Sequence, residues 1–158
     1  MSNDLRLELL RETHAATLFA LLRDPELWRY CDGEPPASQA ALAARFRHLE
    51  TRRSPDGSQA WLNWVVMVAD RATGFVQATV TGEIAQIAYV IGRKHQSRAI
   101  ATRAVTEMLV ILEQDYGVRE FQATVDARNE PSLRLLTRLH FSLVDDSAPE
   151  SLRYSKTL

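Results

Sequence analysis

The spacing of apolar residues changes period several times along the chain, and each change marks an element. Leu5-Arg6-Leu7-Glu8-Leu9 alternates strictly, the period of a strand with one face buried. From His14 to Leu22 the spacing becomes helical, with Thr13 as N-cap and a stop before Asp24-Pro25. Leu27, Trp28 and Tyr30 fit a short helix. Cys31-Asp32-Gly33-Glu34-Pro35-Pro36 is a loop. Ser38 caps a second helix reaching about Arg52, with Ala41, Leu42, Arg45, Phe46 and Leu49 on its inner stripe. Ser54-Pro55-Asp56-Gly57 is a turn.

Three β-type runs follow, Trp61 to Ala69, Phe75 to Thr81 and Ile84 to Ile91, with turns at Asp70 to Gly74 and at Gly82-Glu83. Links this short imply an antiparallel meander. A helix from about Arg98 to Tyr116 repeats Ala101, Ala104, Val105, Met108, Leu109 and Leu112 on one wide stripe, and Gly117 suits its C-terminal end. Phe121 to Val125 is the next strand, parallel to its predecessor because a helical crossover joins them. Asn129 caps a helix over 130–139 whose first turn holds Pro131, where a missing N–H costs little. Phe141 to Val144 and Leu152 to Lys156 close the chain as strands. The order β-α-α-β-β-β-α-β-α-β-β describes one α+β domain over residues 1–158, a mixed, mainly antiparallel sheet flanked by helices.

Composition agrees with a single packed domain. Of 158 residues, 46% are hydrophobic and 25% charged, enough for a core without staples. A net charge of -1 gives no general attraction to nucleic acid or membrane. No apolar run approaches the ~18 residues of a membrane span, and the polar start shows no secretory leader, so a cytoplasmic protein is expected. Cys31 is the one cysteine, which rules out an internal disulfide; no zinc spacing exists and no metal is expected.

Chemistry concentrates where Ile87 to Ile91 leads through Gly92-Arg93-Lys94-His95-Gln96 into the long helix. A strand ending at a helix N-terminus leaves backbone N–H groups pointing one way, which suits a phosphate or other anion. Trp28, Tyr30, Trp61 and Trp64 read as core aromatics, and Arg45-Arg47-His48 with Arg52-Arg53 as a solvated face balanced by Glu50 and Asp56.

The element order and these residues resemble the GNAT acyltransferase family. The resemblance covers almost the whole chain and is densest from Ile84 to Phe141. The family's acyl-CoA loop, Gln/Arg-x-x-Gly-x-Gly/Ala, aligns with Gln96-Ser97-Arg98-Ala99-Ile100-Ala101; Ala99 replaces the central glycine. A helix N-terminus is expected to hold that alanine without strain. The segment Val125-Asp126-Ala127-Arg128-Asn129-Glu130-Pro131-Ser132, followed by Leu139-His140-Phe141, is similar to the family's Asn-x-x-Ser/Ala helix ending in Leu-Gly-Phe. This variant is closest to the branch that acetylates protein N-termini, above all ribosomal proteins.

The resemblance implies transfer of an acetyl group from acetyl-CoA, as co-substrate, to a primary amine of a small molecule or peptide. It implies Gln96, Ser97, Arg98, Ala99, Ile100, Ala101 and Thr102 around the pyrophosphate. Val90 and Ile91 would offer backbone groups to the pantetheine arm and thioester, and Asn129 and Ser132 would contact CoA. A homodimer is common in the family. Ser132 is the candidate near the thiol sulfur, since the tyrosine many relatives carry seven residues after the asparagine is Leu136 here. Where relatives often carry a glutamate this chain has Gln86, which cannot act as a base, so Glu83 is taken as the base, acting through a water. Asp32, Glu34 and His48 lie in the substrate-facing region, and His95 reads as a surface residue. Ala99, Gln86 and Leu136 also motivate an alternative, a non-catalytic acyl-CoA-binding module of the same fold.

Overall fold

The computed structural model describes residues 4–96 and 99–158. Seven strands form one sheet: β1 (Leu5–Leu9), β2 (Ala60–Val68), β3 (Arg71–Thr81), β4 (Ile84–Ile91), β5 (Glu120–Val125), β6 (Ser142–Asp145) and β7 (Leu152–Thr157). Their order across the sheet is β1-β2-β3-β4-β5-β7-β6. Only β4 and β5 run parallel; the other neighbours are antiparallel. Four α-helices flank it: α1 (His14–Leu22), α2 (Gln39–Leu49), α3 (Ile100–Tyr116) and α4 (Glu130–Arg138). Short 3-10 turns occupy Pro25–Trp28, Arg93–His95 and Pro149–Ser151.

Strand alternation sends side chains to two cores. On one face Leu62, Trp64, Val66, Val76, Ala78, Ala85 and Ile87 pack beneath the stripe of α3 and beneath Leu135 and Leu136 of α4. Leu5, Leu7 and Leu9 join this core partly buried, as expected of an edge strand. On the other face Val65, Met67 and Ala72 meet Leu18 and Leu22 of α1 and Leu42 and Phe46 of α2. Fully burying a Phe121 or Leu136 stabilises the fold by about 1.5–3 kcal/mol each.

Three expectations need correcting. The β2–β3 connection is not Asp70 to Gly74 but the two residues Ala69-Asp70, both at positive φ (48° and 65°), the backbone of a tight hairpin. Gly74 lies inside β3, where any Cβ would run into the Val90 carbonyl. The adjacent register shift at Val66/Met67 leaves Thr73 to donate its hydroxyl to the Val66 carbonyl at 3.0 Å. Thr13 is helical and its side chain caps nothing; instead the Arg11 N–H donates to His14 Nδ1 at 2.9 Å. Ser38, in contrast, accepts from the Ala41 N–H at 3.0 Å as expected. Of the α2 stripe only Leu42 and Phe46 are buried, while Ala41 and Arg45 stay exposed.

Candidate active site

The hydrogen-bonded ladder between β4 and β5 runs from Ile84 opposite Glu120 to Ile87 opposite Ala123 and then stops, although β4 continues to Ile91 and β5 to Val125. Beyond Ile87 the two strands part. The Gly92 N–H donates to the Thr73 carbonyl at 2.8 Å, which turns that residue's backbone toward β3. Counting back by twos, Val90 and Ala88 face β3 as well, consistent with the Val90 carbonyl lying against Gly74. Tyr89 and Ile91 are therefore the residues whose backbone groups face the gap. The Ile91 carbonyl already accepts from Gln96 Nε2 at 2.9 Å. Of the two expected backbone contributors, Val90 is turned away, and Gln96 spends its amide tying the turn to the end of β4.

The same alternation places the Tyr89 side chain with Ile87 and Ile91, on the face covered by α3 and α4. There it stands near the Ser132 side chain, which acts on its ionisation. Desolvation by burial pushes the Tyr89 pKa up to about 12, an effect that Ser132 opposes and the nearby Cys31 reinforces. Tyr89 is thus a neutral proton donor at any physiological pH. Ser132 stands in the first turn of α4. Asn129 caps that helix, accepting from the Ser132 N–H through Oδ1 at 3.4 Å, with Pro131 and Glu130 beside it. Leu136 is 1% exposed and points into the core, so the hydroxyl that relatives place there has no substitute on that turn.

The loop after the Pro25–Trp28 turn closes over this point. Trp28 Nε1 donates to the Leu22 carbonyl at 2.8 Å. Two guanidinium groups stand over the Tyr30 ring, Arg29 at 5.2 Å and Arg128 at 5.0 Å from its centroid. Arg128 is held in turn by the buried Asp126, through Nε at 3.0 Å and Nη2 at 2.7 Å. That pairing, with the Arg128 backbone N–H, lowers the Asp126 pKa to about 2. Cys31 is exposed beside Tyr89, and its thiol is pushed up by desolvation first and by the Asp32 carboxylate second.

Helix α3 begins quite differently. Ala99 is its N-cap residue at φ 57°, ψ 15°, in the left-handed region, with no side-chain cap. An alanine there costs about 1 kcal/mol relative to glycine, so the expectation of an unstrained alanine is corrected. The glycine usual at this position answers a backbone angle as well as close approach to phosphate. Ile100 is buried and Ala101 and Thr102 half-buried, and no carboxylate stands in the first turn. Ser97 and Arg98 lie outside the described residues. His140 repeats the pattern at the end of α4, at φ 67° where relatives have glycine.

Other candidates fall elsewhere. Glu83 sits in the exposed turn at the opposite end of β4, six residues or about 20 Å from Tyr89. Its carbonyl accepts from the Arg119 and Glu120 N–H groups at 2.8 and 3.1 Å, and its distance removes it from the reacting position. Gln86 donates to Thr124 Oγ1 at 3.3 Å, bridging β4 and β5. His48 is exposed and His95 half-buried in its 3-10 turn. Trp64 is core; Trp61 is half-buried and donates to Gln59. Trp28 is not simple core: with Glu34, Phe75 and Gln77 it lines a cavity of about 200 Å³ between the sheet and α1–α2. The Tyr89 side chain and the Tyr30–Arg128 stack were missed in the sequence, although the parity of Tyr89 with Ile87 and Ile91 was a readable signal for the first. Among the described residues no group of three metal-ligating side chains exists. None of their helices is long and apolar enough to cross a membrane.

The family model described as an acetyltransferase (GNAT) domain matches residues 4–142. A search of curated proteins finds no match. Among solved structures, RimL, the ribosomal L7/L12 alpha-N-protein acetyltransferase in complex with coenzyme A, superposes with TM-score 0.82 at 17% identity, over 98% of this chain and 94% of that one. An acetyltransferase from Thermus thermophilus gives 0.79 at 20%, over 100% of both chains. The aminoglycoside acetyltransferase AAC(6')-Ib, also with coenzyme A, gives 0.79 at 16%, over 98% and 95%. At these identities the likeness is one of fold.

Proposed function

The chain belongs to the GNAT acetyltransferase family, and from that premise we propose that it moves an acetyl group from acetyl-CoA directly to a primary amine. The observation that carries this reading is the gap between β4 and β5, with Tyr89 of β4 and Ser132 at the start of α4 near each other beside it. The gap offers backbone groups of Tyr89 and Ile91 at one wall and the capped start of α4 at the other. The N-terminus of α3, whose N-cap residue Ala99 makes no side-chain cap, would turn its first N–H groups to a pyrophosphate. Acetyl-CoA, when bound, supplies the activated acyl group.

The residues then divide the proton work. The amine nitrogen bonds to the acyl carbon as the carbon–sulfur bond breaks. Ser132 gives a proton toward the departing sulfur, and Tyr89 stands behind it as a donor kept neutral by burial. Asn129 holds the turn that carries Ser132. On the acceptor side, Glu34 is the one carboxylate in the cavity wall among the described residues and takes the proton the amine must lose. RimL is named for a protein N-terminus and AAC(6')-Ib for an aminoglycoside; the acceptor of this chain is a primary amine of a peptide or of a small molecule.

Calorimetric titration with acetyl-CoA tests the first half. Heat is expected well below a millimolar, and none at that concentration, where binding is worth only about 4 kcal/mol, would remove the reading. Thiol release from acetyl-CoA over a panel of amines tests the second half. Binding without thiol release would support a non-catalytic acyl-CoA module instead.

A further inference from the structure

The cavity of about 200 Å³ lies on the face of the sheet covered by α1 and α2, and its floor is Asn63, Phe75 and Gln77. Phe75 and Gln77 stand opposite Val90 and Ala88 in the β3–β4 register, so this floor is one strand away from the parted segment of β4. Much of the wall is apolar: leucines of α1 and α2, Phe46, Trp28 and the Pro35-Pro36 bend. Asn63 and Gln77 face each other across β2 and β3 as the polar pair in that floor. One acid and one base, Glu34 and Arg45, complete the lining, and among the described residues neither forms an ion pair.

We propose that this cavity selects the acceptor, and that the acceptor is an amine carrying one aromatic or branched aliphatic group, such as a peptide with a large apolar first residue. The inference rests on the transferase reading above. Three features support it. A cavity of about 150 Å³ lined by apolar side chains suffices for a benzene ring, so this one takes a single ring or branched chain. Burying such a group is favourable only against walls of this kind. The lining charge sums to zero, which gives a polycationic amino sugar one carboxylate and an opposing guanidinium. The Asn63–Gln77 pair supplies neutral hydrogen-bonding groups of the sort a peptide amide pairs with.

The test uses the intact protein saturated with CoA and two readouts. Calorimetric binding of 2-phenylethylamine and of a Phe-led tripeptide reads the cavity without chemistry. Both are expected to bind at least tenfold tighter than ethylamine, a Gly-led tripeptide or an aminoglycoside. Ala41→Trp, at an exposed position on the cavity rim, is expected to abolish that preference while acetyl-CoA binding is unchanged. Equal binding of apolar and polar amines, or a preference untouched by Ala41→Trp in a folded protein, would overturn the proposal. Thiol release separates the two readings. Selective binding without acetyl transfer leaves the cavity assignment standing and removes the enzymatic one, whereas transfer to polar amines alone does the reverse.

Discussion

Helices α3 and α4 both begin at the gap in the sheet, and they begin in opposite ways. The start of α4 is self-sufficient: Asn129 accepts the Ser132 N–H, Pro131 removes an orphan donor and Glu130 opposes the dipole. The start of α3 has none of these, only Ala99 in a left-handed conformation and a first turn free of acids. A helix end that satisfies itself has nothing left for an anion and instead presents a side chain. A helix end left open carries backbone strain and keeps its donors for a ligand. The contrast supports the proposed division, with phosphate at α3 and proton transfer at α4.

That assignment breaks in separable ways. The largest effect is expected from Ser132→Ala, a fall in kcat of about a hundredfold, the scale of one lost proton donor, with acetyl-CoA affinity nearly unchanged in calorimetry. Ala99→Glu, in contrast, is expected to raise the Kd for acetyl-CoA about tenfold by setting a carboxylate at the α3 terminus. A fall in affinity from the serine variant, or none from the glutamate variant, would invert the comparison. Smaller are the stability changes. Ala99→Gly should stabilise by about 1 kcal/mol by relieving the positive φ, and Asn129→Ala should destabilise by about 1 kcal/mol through loss of a cap, each a shift of roughly 2–4 °C in Tm.

Last comes a pH dependence confined to alkaline solution, which leaves stability at neutral pH untouched. Tyr89 has its folded pKa raised, to about 12 against an ordinary 10, so the unfolded chain loses its phenolic proton first. The stability this group contributes is whole below pH 10 and is lost as pH rises toward 12. A difference titration of wild type and Tyr89→Phe at 295 nm should show one phenol ionising in that window. Stability unchanged from pH 10 to 12 in that comparison would mean the hydroxyl is not buried against Ser132.

Most of the architecture was legible because it rests on periodicity. The α3 stripe, the parallel crossover and the cap at Asn129 follow from spacing alone, and residues 84 to 141 hold the motifs. What stayed hidden depended on the third dimension. Gly74 reads as a turn signal along the chain, yet it is conditioned by the Val90 carbonyl, a neighbour sixteen residues further on. Ala99 reads as a small residue in a tight loop, while the operative constraint is its φ. Glu83 looked near the chemistry only because sequence distance ignores which end of a strand faces the site. The pair formed by Tyr89 and Ser132 joins two elements whose packing no local pattern specifies.

The short β4–β5 ladder has a mechanical consequence. Strands β2 to β4 form a meander of local, antiparallel connections, with β1 added across the α1–α2 excursion, whereas β5, β7 and β6 are reached only after the α3 crossover. The two groups of strands are stitched to each other from Ile84 to Ile87 and nowhere beyond. Local pairings close early in folding and long-range parallel ones late, so the β2–β4 meander is the natural first body and the β5 side docks onto it. The seam where that docking ends is also where the chain would bind its substrates, so the last region to assemble is the one that a bound ligand would hold shut.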